Sequence, residues 1–158
     1  MTTITRGARR LGSRRARIGL LGAVALVGLV GCGGKGGTVD VVLKEFAVVP
    51  SVTSIEHGKV TFNATNAGPN DKHEMVLLKT DLGILALPAS AEGKVDEEGA
   101  GLTTIGEIAE FDVGKTGTAT FDLAPGRYVL VCNIVQDEPD GTKESHYLKG
   151  MVIEFTVK

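Results

Sequence analysis

Hydrophobic and polar residues alternate along much of the chain after residue 37. In residues 59–66, for example, polar side chains separate Val60, Phe62 and Ala64. A period of two is typical of a β-strand that buries one of its faces. This alternation, together with apolar runs between turn residues, predicts strands at residues 39–44, 59–66, 74–80, 116–123, 127–132 and 151–157.

Turn residues separate the predicted strands. Residues 66–71 and 125–126 are rich in Gly, Pro, Asn and Asp, and Pro50 is expected to end the first strand. Short strands between turns indicate an all-β fold, an antiparallel sandwich of about seven strands. Residues 88–110 alternate less, and residues 94–99 fit either a short helix or an acidic loop.

The amino-terminal residues 1–31 have the layout of a secretory signal peptide. Six Arg residues precede an apolar run of 13 residues, 18–30, which as a helix spans about 20 Å, short of the roughly 30 Å hydrocarbon core of a membrane. The run ends in Leu29-Val30-Gly31-Cys32, which resembles the lipobox of bacterial lipoproteins, whose cysteine receives lipid before cleavage. Residues 32–37 would then be a lipidated Cys32 and a glycine-rich tether to a domain at residues 38–158.

This leader predicts export and lipid anchoring on the extracytoplasmic or periplasmic side of a membrane. Ser13-Arg14-Arg15 also resembles the start of a twin-arginine signal, so the export route stays open. A disulfide between Cys32 and Cys132 is the alternative for these two cysteines, which are too few for a disulfide scaffold or a four-cysteine zinc site.

The charges are segregated along the chain. Six of the 17 basic residues lie in residues 1–31, which leaves 11 against 19 acidic residues and a formal charge of −8 for the remainder. An acidic domain argues against nucleic acid as a partner.

Four residues carry the candidate chemistry: His73, Cys132, His146 and Met151. They lie at or beside predicted strand ends, which meet at one pole of a sandwich. Two imidazoles, a thiolate and a thioether suit one copper ion that cycles between Cu(I) and Cu(II), whereas calcium and magnesium prefer oxygen ligands. Taken singly, these residues would be a surface histidine, a buried thiol and a core methionine.

Three segments resemble the plastocyanin/azurin-like blue copper proteins, the cupredoxins: DKHEMV at residues 71–76, GRYVLVCN at residues 126–133 and HYLKGM at residues 146–151. The resemblance spans residues 38–158 and implies a Greek-key β-sandwich of seven to eight strands. It also implies that His73, Cys132 and His146 are the strong trigonal copper ligands and that Met151 is the weak axial ligand.

One departure from the family is the distance between Cys132 and His146. The family commonly separates these ligands by a few residues, whereas here thirteen intervene. The insertion at residues 135–145 is acidic and is expected to be a surface loop, which costs little in closure entropy. His146 would then present an exposed edge for electron exit, and Glu144 is a less favoured oxygen ligand.

Residues next to the ligands have predicted roles as well. Glu74 and Asn133 each follow a ligand and are expected to join the two ligand segments, although a surface polar role fits them equally. Met75 is expected to pack in the core, and His57 is expected to be an exposed turn residue.

These residues predict a membrane-anchored blue copper protein that carries single electrons between protein redox partners. The acidic loop would steer a partner with a basic docking face. A copper-binding or copper-delivery lipoprotein and a metal-free interaction module are the alternatives. An enzyme is not expected, because three histidines cannot supply the His-x-His pairs of a multicopper oxidase, and neither a nucleophile–base set nor a small-molecule substrate site is evident.

Overall fold

The structure is a computed structural model that describes residues 35–158, so the predicted signal peptide, Cys32 and the start of the tether lie outside the described residues. These residues contain eleven strands and no helix. Residues 35–158 therefore contain no helix that is long and apolar enough to cross a membrane. The strands are β1 (Gly37–Lys44), β2 (Ala47–Pro50), β3 (Ser54–Ile55), β4 (Gly58–Asn66), β5 (His73–Thr80), β6 (Leu102–Phe111), β7 (Thr116–Leu123), β8 (Gly126–Val131), β9 (Val135–Asp137), β10 (Lys143–Ser145) and β11 (Val152–Val157).

Two sheets form the sandwich, which confirms the all-β prediction. One sheet has the strand order β2-β1-β4-β7 and the other β3-β11-β8-β5-β6, while β9 and β10 form a separate hairpin. Neighbours within a sheet are often distant in sequence, so the chain crosses between the sheets as in a Greek key. Two pairs, β1 with β4 and β3 with β11, are parallel, which the antiparallel pattern did not predict.

The core lies between the two sheets. Alternate residues of β1 and β4 point into it, and Phe62 packs edge-on against Phe155 with ring centroids 5.5 Å apart. Met75 is fully buried in the same cluster, which confirms its predicted packing role.

A second apolar layer covers the outer face of the five-stranded sheet. Leu87 and Val95, from the segment between β5 and β6, pack on Val76, Val129 and Tyr147. The central strands β5 and β8 are therefore buried on both faces, which explains why their sequences are continuous apolar runs rather than alternating ones.

Five strands lie where the sequence predicted none: β2, β3, β6, β9 and β10. β6 is an edge strand whose pairing with β5 is interrupted by two register shifts, and each shift breaks the alternation that the sequence would show. β2 pairs with β1 at the other sheet's edge, where Pro50 costs no ladder hydrogen bond. Residues 94–99 form turns beside an isolated bridge between Ala89 and Val95 and no helix.

Candidate metal centre

Two imidazoles and the thiol meet at one pole of the sandwich. His73 begins β5, Cys132 follows β8 and His146 follows β10. The Cys132 Sγ lies 3.3 Å from the Nδ1 of His146 and 3.8 Å from the Nδ1 of His73, and the two Nδ1 atoms are 3.2 Å apart. All three residues are fully buried, and their ligand atoms lie close enough together to hold one metal ion.

Met151 lies beside this trio. It is fully buried in the main core cluster and directly precedes β11. The Cys132 amide donates to its carbonyl at 3.0 Å, and its own amide donates to the carbonyl of His146 at 2.9 Å. The structure thus gathers all four predicted ligand residues at one pole.

The pocket favours uncharged side chains in the absence of a cation. Burial raises the pKa of the Cys132 thiol to about 12. Burial also lowers the pKa of both imidazoles, and the neighbouring His146 lowers the pKa of His73 further. A bound cation offsets the cost of a thiolate in this buried pocket, since a metal ion holds a coordinating thiol deprotonated.

Three buried side-chain atoms of the described residues lack a hydrogen-bond partner, and all three belong to this centre. They are the Nε2 atoms of His73 and His146 and the Oε2 of Glu45. Buried polar atoms without partners are rare in folded proteins. Because the Nδ1 atoms, and not these nitrogens, surround the thiol, the unpaired atoms mark the other nitrogen of each ring and a carboxylate beside His73.

The loop that precedes His73 is held by side-chain hydrogen bonds. The Asn66 side chain donates to the Asp71 carbonyl at 2.8 Å, and its Oδ1 accepts from the Gly68 amide at 2.8 Å. Gly68 has a φ of 61°, a left-handed conformation that glycine adopts without strain. The Oε1 of Glu45 accepts from the amides of Asn70 and Asp71 at 3.0 and 2.7 Å.

Glu74 and Asn133 join the two ligand segments directly. The Asn133 amide donates to the Glu74 Oε1 at 3.1 Å, and the Glu74 amide donates to the Cys132 Sγ at 3.5 Å. Burial raises the pKa of Glu74 to about 7, and the Glu107 carboxylate adds to this shift. The buried Asn133 side chain also accepts from the Val95 amide at 2.6 Å and donates to the Val95 carbonyl at 2.9 Å, which attaches the covering segment to the centre.

The prediction of an exposed His146 edge is wrong. His146 is fully buried because Phe46, in the turn between β1 and β2, packs edge-on against its ring with centroids 5.5 Å apart. The Lys149 ammonium lies 5.1 Å from the centroid of the Phe46 ring. Neither Phe46 nor Glu45 was predicted as part of the site. The only sequence signal for them is that an acidic and an aromatic residue stand side by side directly after the first predicted strand.

The acidic insertion is an ordered hairpin rather than an open loop. β9 and β10 pair over three residues, and a salt bridge of 2.5 Å joins Asp137 to Lys143. Glu144 pairs with Lys149 at 2.9 Å. Glu144, Asp71 and His146 form a second group whose ligand atoms lie close enough together to hold a metal ion.

His57, directly before β4, is half-buried. Its Nδ1 donates to the carbonyl of Lys158 at 2.8 Å.

The comparisons with known proteins concern the fold. No protein-family model matches the chain, and no curated protein matches it either. The structure is similar to the reduced auracyanin of the photosynthetic bacterium Roseiflexus castenholzii, with a TM-score of 0.53 and 20% identity over 80% of this chain and 99% of that one. It is also similar to auracyanin A, a blue copper protein of Chloroflexus aurantiacus, with a TM-score of 0.50 and 21% identity over 78% of this chain and 100% of that one. The chain therefore has the cupredoxin fold.

Replacing Asn133 by Ala is expected to lower the free energy of unfolding of the metal-free chain by about 2–4 kcal/mol, because it leaves the Val95 amide and carbonyl without partners. Urea denaturation measures this difference. Asn63→Ala is the control, since Asn63 bonds Asp40 at an exposed position and should cost less than about 1 kcal/mol. Equal losses in the two variants would contradict the anchoring role of Asn133.

Proposed function

We propose that this protein is a blue copper electron carrier that binds one copper ion through His73, Cys132, His146 and Met151. The convergence of two Nδ1 atoms and one thiol in a closed pocket carries this proposal. Two imidazoles, a thiolate and a weak thioether are the ligands of blue copper sites. The auracyanins support it, because one of them is described as a blue copper protein and the fold is shared.

The bound copper would supply a one-electron couple between Cu(I) and Cu(II). The chain's own contribution is to hold the ligands in one arrangement for both oxidation states. His73 begins a central strand that is paired on both sides, and the backbone bonds of Met151 fix it to Cys132 and His146. A geometry that changes little keeps the cost of electron transfer low.

Complete burial of the four residues favours electron transfer over copper delivery. Delivery requires ligand exchange with another protein, and exchange is easiest when a ligand is accessible. Here each of the four side chains is fully buried. A reversible one-electron wave with slow loss of copper to a chelator would favour the carrier, and rapid loss without a wave would favour delivery.

The leader supports an anchored location for this carrier. The lipobox-like sequence ending at Cys32 would fix the domain to the extracytoplasmic face of a membrane through lipid. Protein redox partners at that membrane would then exchange electrons with it, and no small-molecule turnover is part of the proposal.

In the copper-loaded full-length chain, Cys132→Ser is expected to abolish the intense blue absorption, because that band requires a bond between the thiolate and Cu(II). Visible and EPR spectra of the Cu(II) forms measure this. His57→Asn is the matched control, since His57 bonds the carboxyl-terminal residue instead, and it should keep the wild-type spectrum. A Cys132→Ser protein of unchanged colour would refute the ligand assignment.

Replacing Cys32 by Ser is expected to abolish incorporation of a fatty-acid analogue and to leave the leader uncleaved, since the lipid attachment point is lost and lipid attachment precedes cleavage. Metabolic labelling and the apparent mass of the protein measure this. Cys132→Ser, which keeps the anchor, should be labelled and cleaved like the wild type. A labelled and processed Cys32→Ser protein would argue against the lipid anchor.

The acidic domain is proposed to meet a partner with a basic docking face. The oxidation rate of the reduced protein by a cationic cobalt(III) phenanthroline complex should therefore fall as ionic strength rises. Stopped-flow kinetics measure this rate. The oxidation rate with ferricyanide, an anion, should rise with ionic strength. Oxidation rates that do not change with ionic strength for either reagent would refute the steering proposal.

A further inference from the structure

Glu45 reaches the metal centre from a distant part of the sequence. It lies in the turn between β1 and β2, and its side chain is only 9% exposed. Its Oε1 is held by the amides of Asn70 and Asp71, so the carboxylate has a fixed position beside His73. The Glu45 Oε1 and the His73 Nε2 are 3.8 Å apart, and the other oxygen, Oε2, has no partner.

The position of the ring protons gives this carboxylate a role. The two Nδ1 atoms are 3.2 Å apart, a distance at which one ring that carries its proton on Nδ1 donates to the other. If both Nδ1 atoms are ligands, each ring must carry its proton on Nε2. The Nε2–H of His73 is then a buried donor, and the Oε1 of the Glu45 carboxylate lies 3.8 Å from that nitrogen.

We propose that Glu45 is a positioning residue of this centre, whose carboxylate accepts the Nε2–H of His73 and thereby directs the Nδ1 of that ring to the metal. The inference rests on the proposed copper site. The ring torsion of a histidine is broad, so rotation of the His73 ring closes the 3.8 Å gap while the two amides keep the Glu45 Oε1 in place. Because Phe46 is the next residue, one turn covers His146 and orients His73.

A carboxylate in this position changes the electronic properties of the ligand as well as its orientation. A hydrogen bond from a ligating imidazole to a carboxylate makes the ring a stronger donor. A stronger donor stabilises Cu(II) more than Cu(I), because Cu(II) carries the larger charge. Glu45 therefore lowers the reduction potential of the centre.

The test compares the copper-loaded full-length wild type with Glu45→Gln, which keeps the shape but removes the charge. The variant should stay blue, bind Cu(II) about 10- to 100-fold more weakly, and show a higher midpoint potential. A tenfold change in the ratio of Cu(II) to Cu(I) affinity corresponds to about 59 mV for a one-electron couple. Pulsed EPR should show altered coupling to one of the two remote Nε2 nitrogens.

Glu110→Gln is the matched control for loss of a nearby charge. The Glu110 carboxylate acts on His146 and Cys132 through space, yet it pairs with Lys72 at 3.1 Å and not with His73. This variant should leave both remote nitrogens unchanged and shift the potential less. If Glu45→Gln matches Glu110→Gln in potential and in remote nitrogen coupling, Glu45 only supports the loop and the inference is overturned.

Two further measurements separate the other outcomes. A wild-type protein without a blue Cu(II) form would overturn the proposed function and this inference together, whereas a blue wild type with unaltered Glu45→Gln overturns the inference alone. If Glu45→Gln does not fold, NMR of the Cu(I) wild type decides. A slowly exchanging Nε2–H of His73 near the Glu45 methylenes supports the role, and exchange as fast as that of His57 refutes it.

Discussion

The metal centre depends on the packing of a thiol and two imidazoles in one buried pocket. Burial there opposes both a thiolate and an imidazolium, as the raised pKa of Cys132 and the lowered pKa of both histidines show. A single cation offsets the cost of the buried thiolate, because it compensates the negative charge and accepts one lone pair from each neutral ring. The fold therefore maintains a pocket in which a thiolate is favoured only beside a cation.

Both sheets and the covering segment contribute to that arrangement. β5 and β8 place His73 and Cys132 on neighbouring strands of one sheet, while the turn between β1 and β2 brings Glu45 and Phe46 from the other sheet. Asn133 ties the covering segment to the strand that ends at Cys132. Side chains that touch no ligand atom thus decide how rigidly the ligands are held.

Sequence patterns predicted six of the eleven strands, because period-two alternation is a local signal. The four candidate ligand residues followed from their order along the chain and from the family resemblance. Period-two alternation reports one buried face, and His73, Cys132, His146 and Met151 stand at strand ends. β6 escaped prediction because register shifts interrupt its alternation. Glu45, Phe46 and the burial of His146 depend on contacts between distant segments, and no spacing in the sequence encodes such contacts.

The turn that carries Glu45 and Phe46 also links the centre to the order of chain synthesis. It belongs to the first strands of the domain, yet it closes over His146, which is translated 100 residues after Phe46. Contacts of such separation form late, after the loop entropy between them has been overcome. A nascent or truncated chain that ends before His146 lacks two of the four side chains, so stable metal uptake would mark a finished polypeptide.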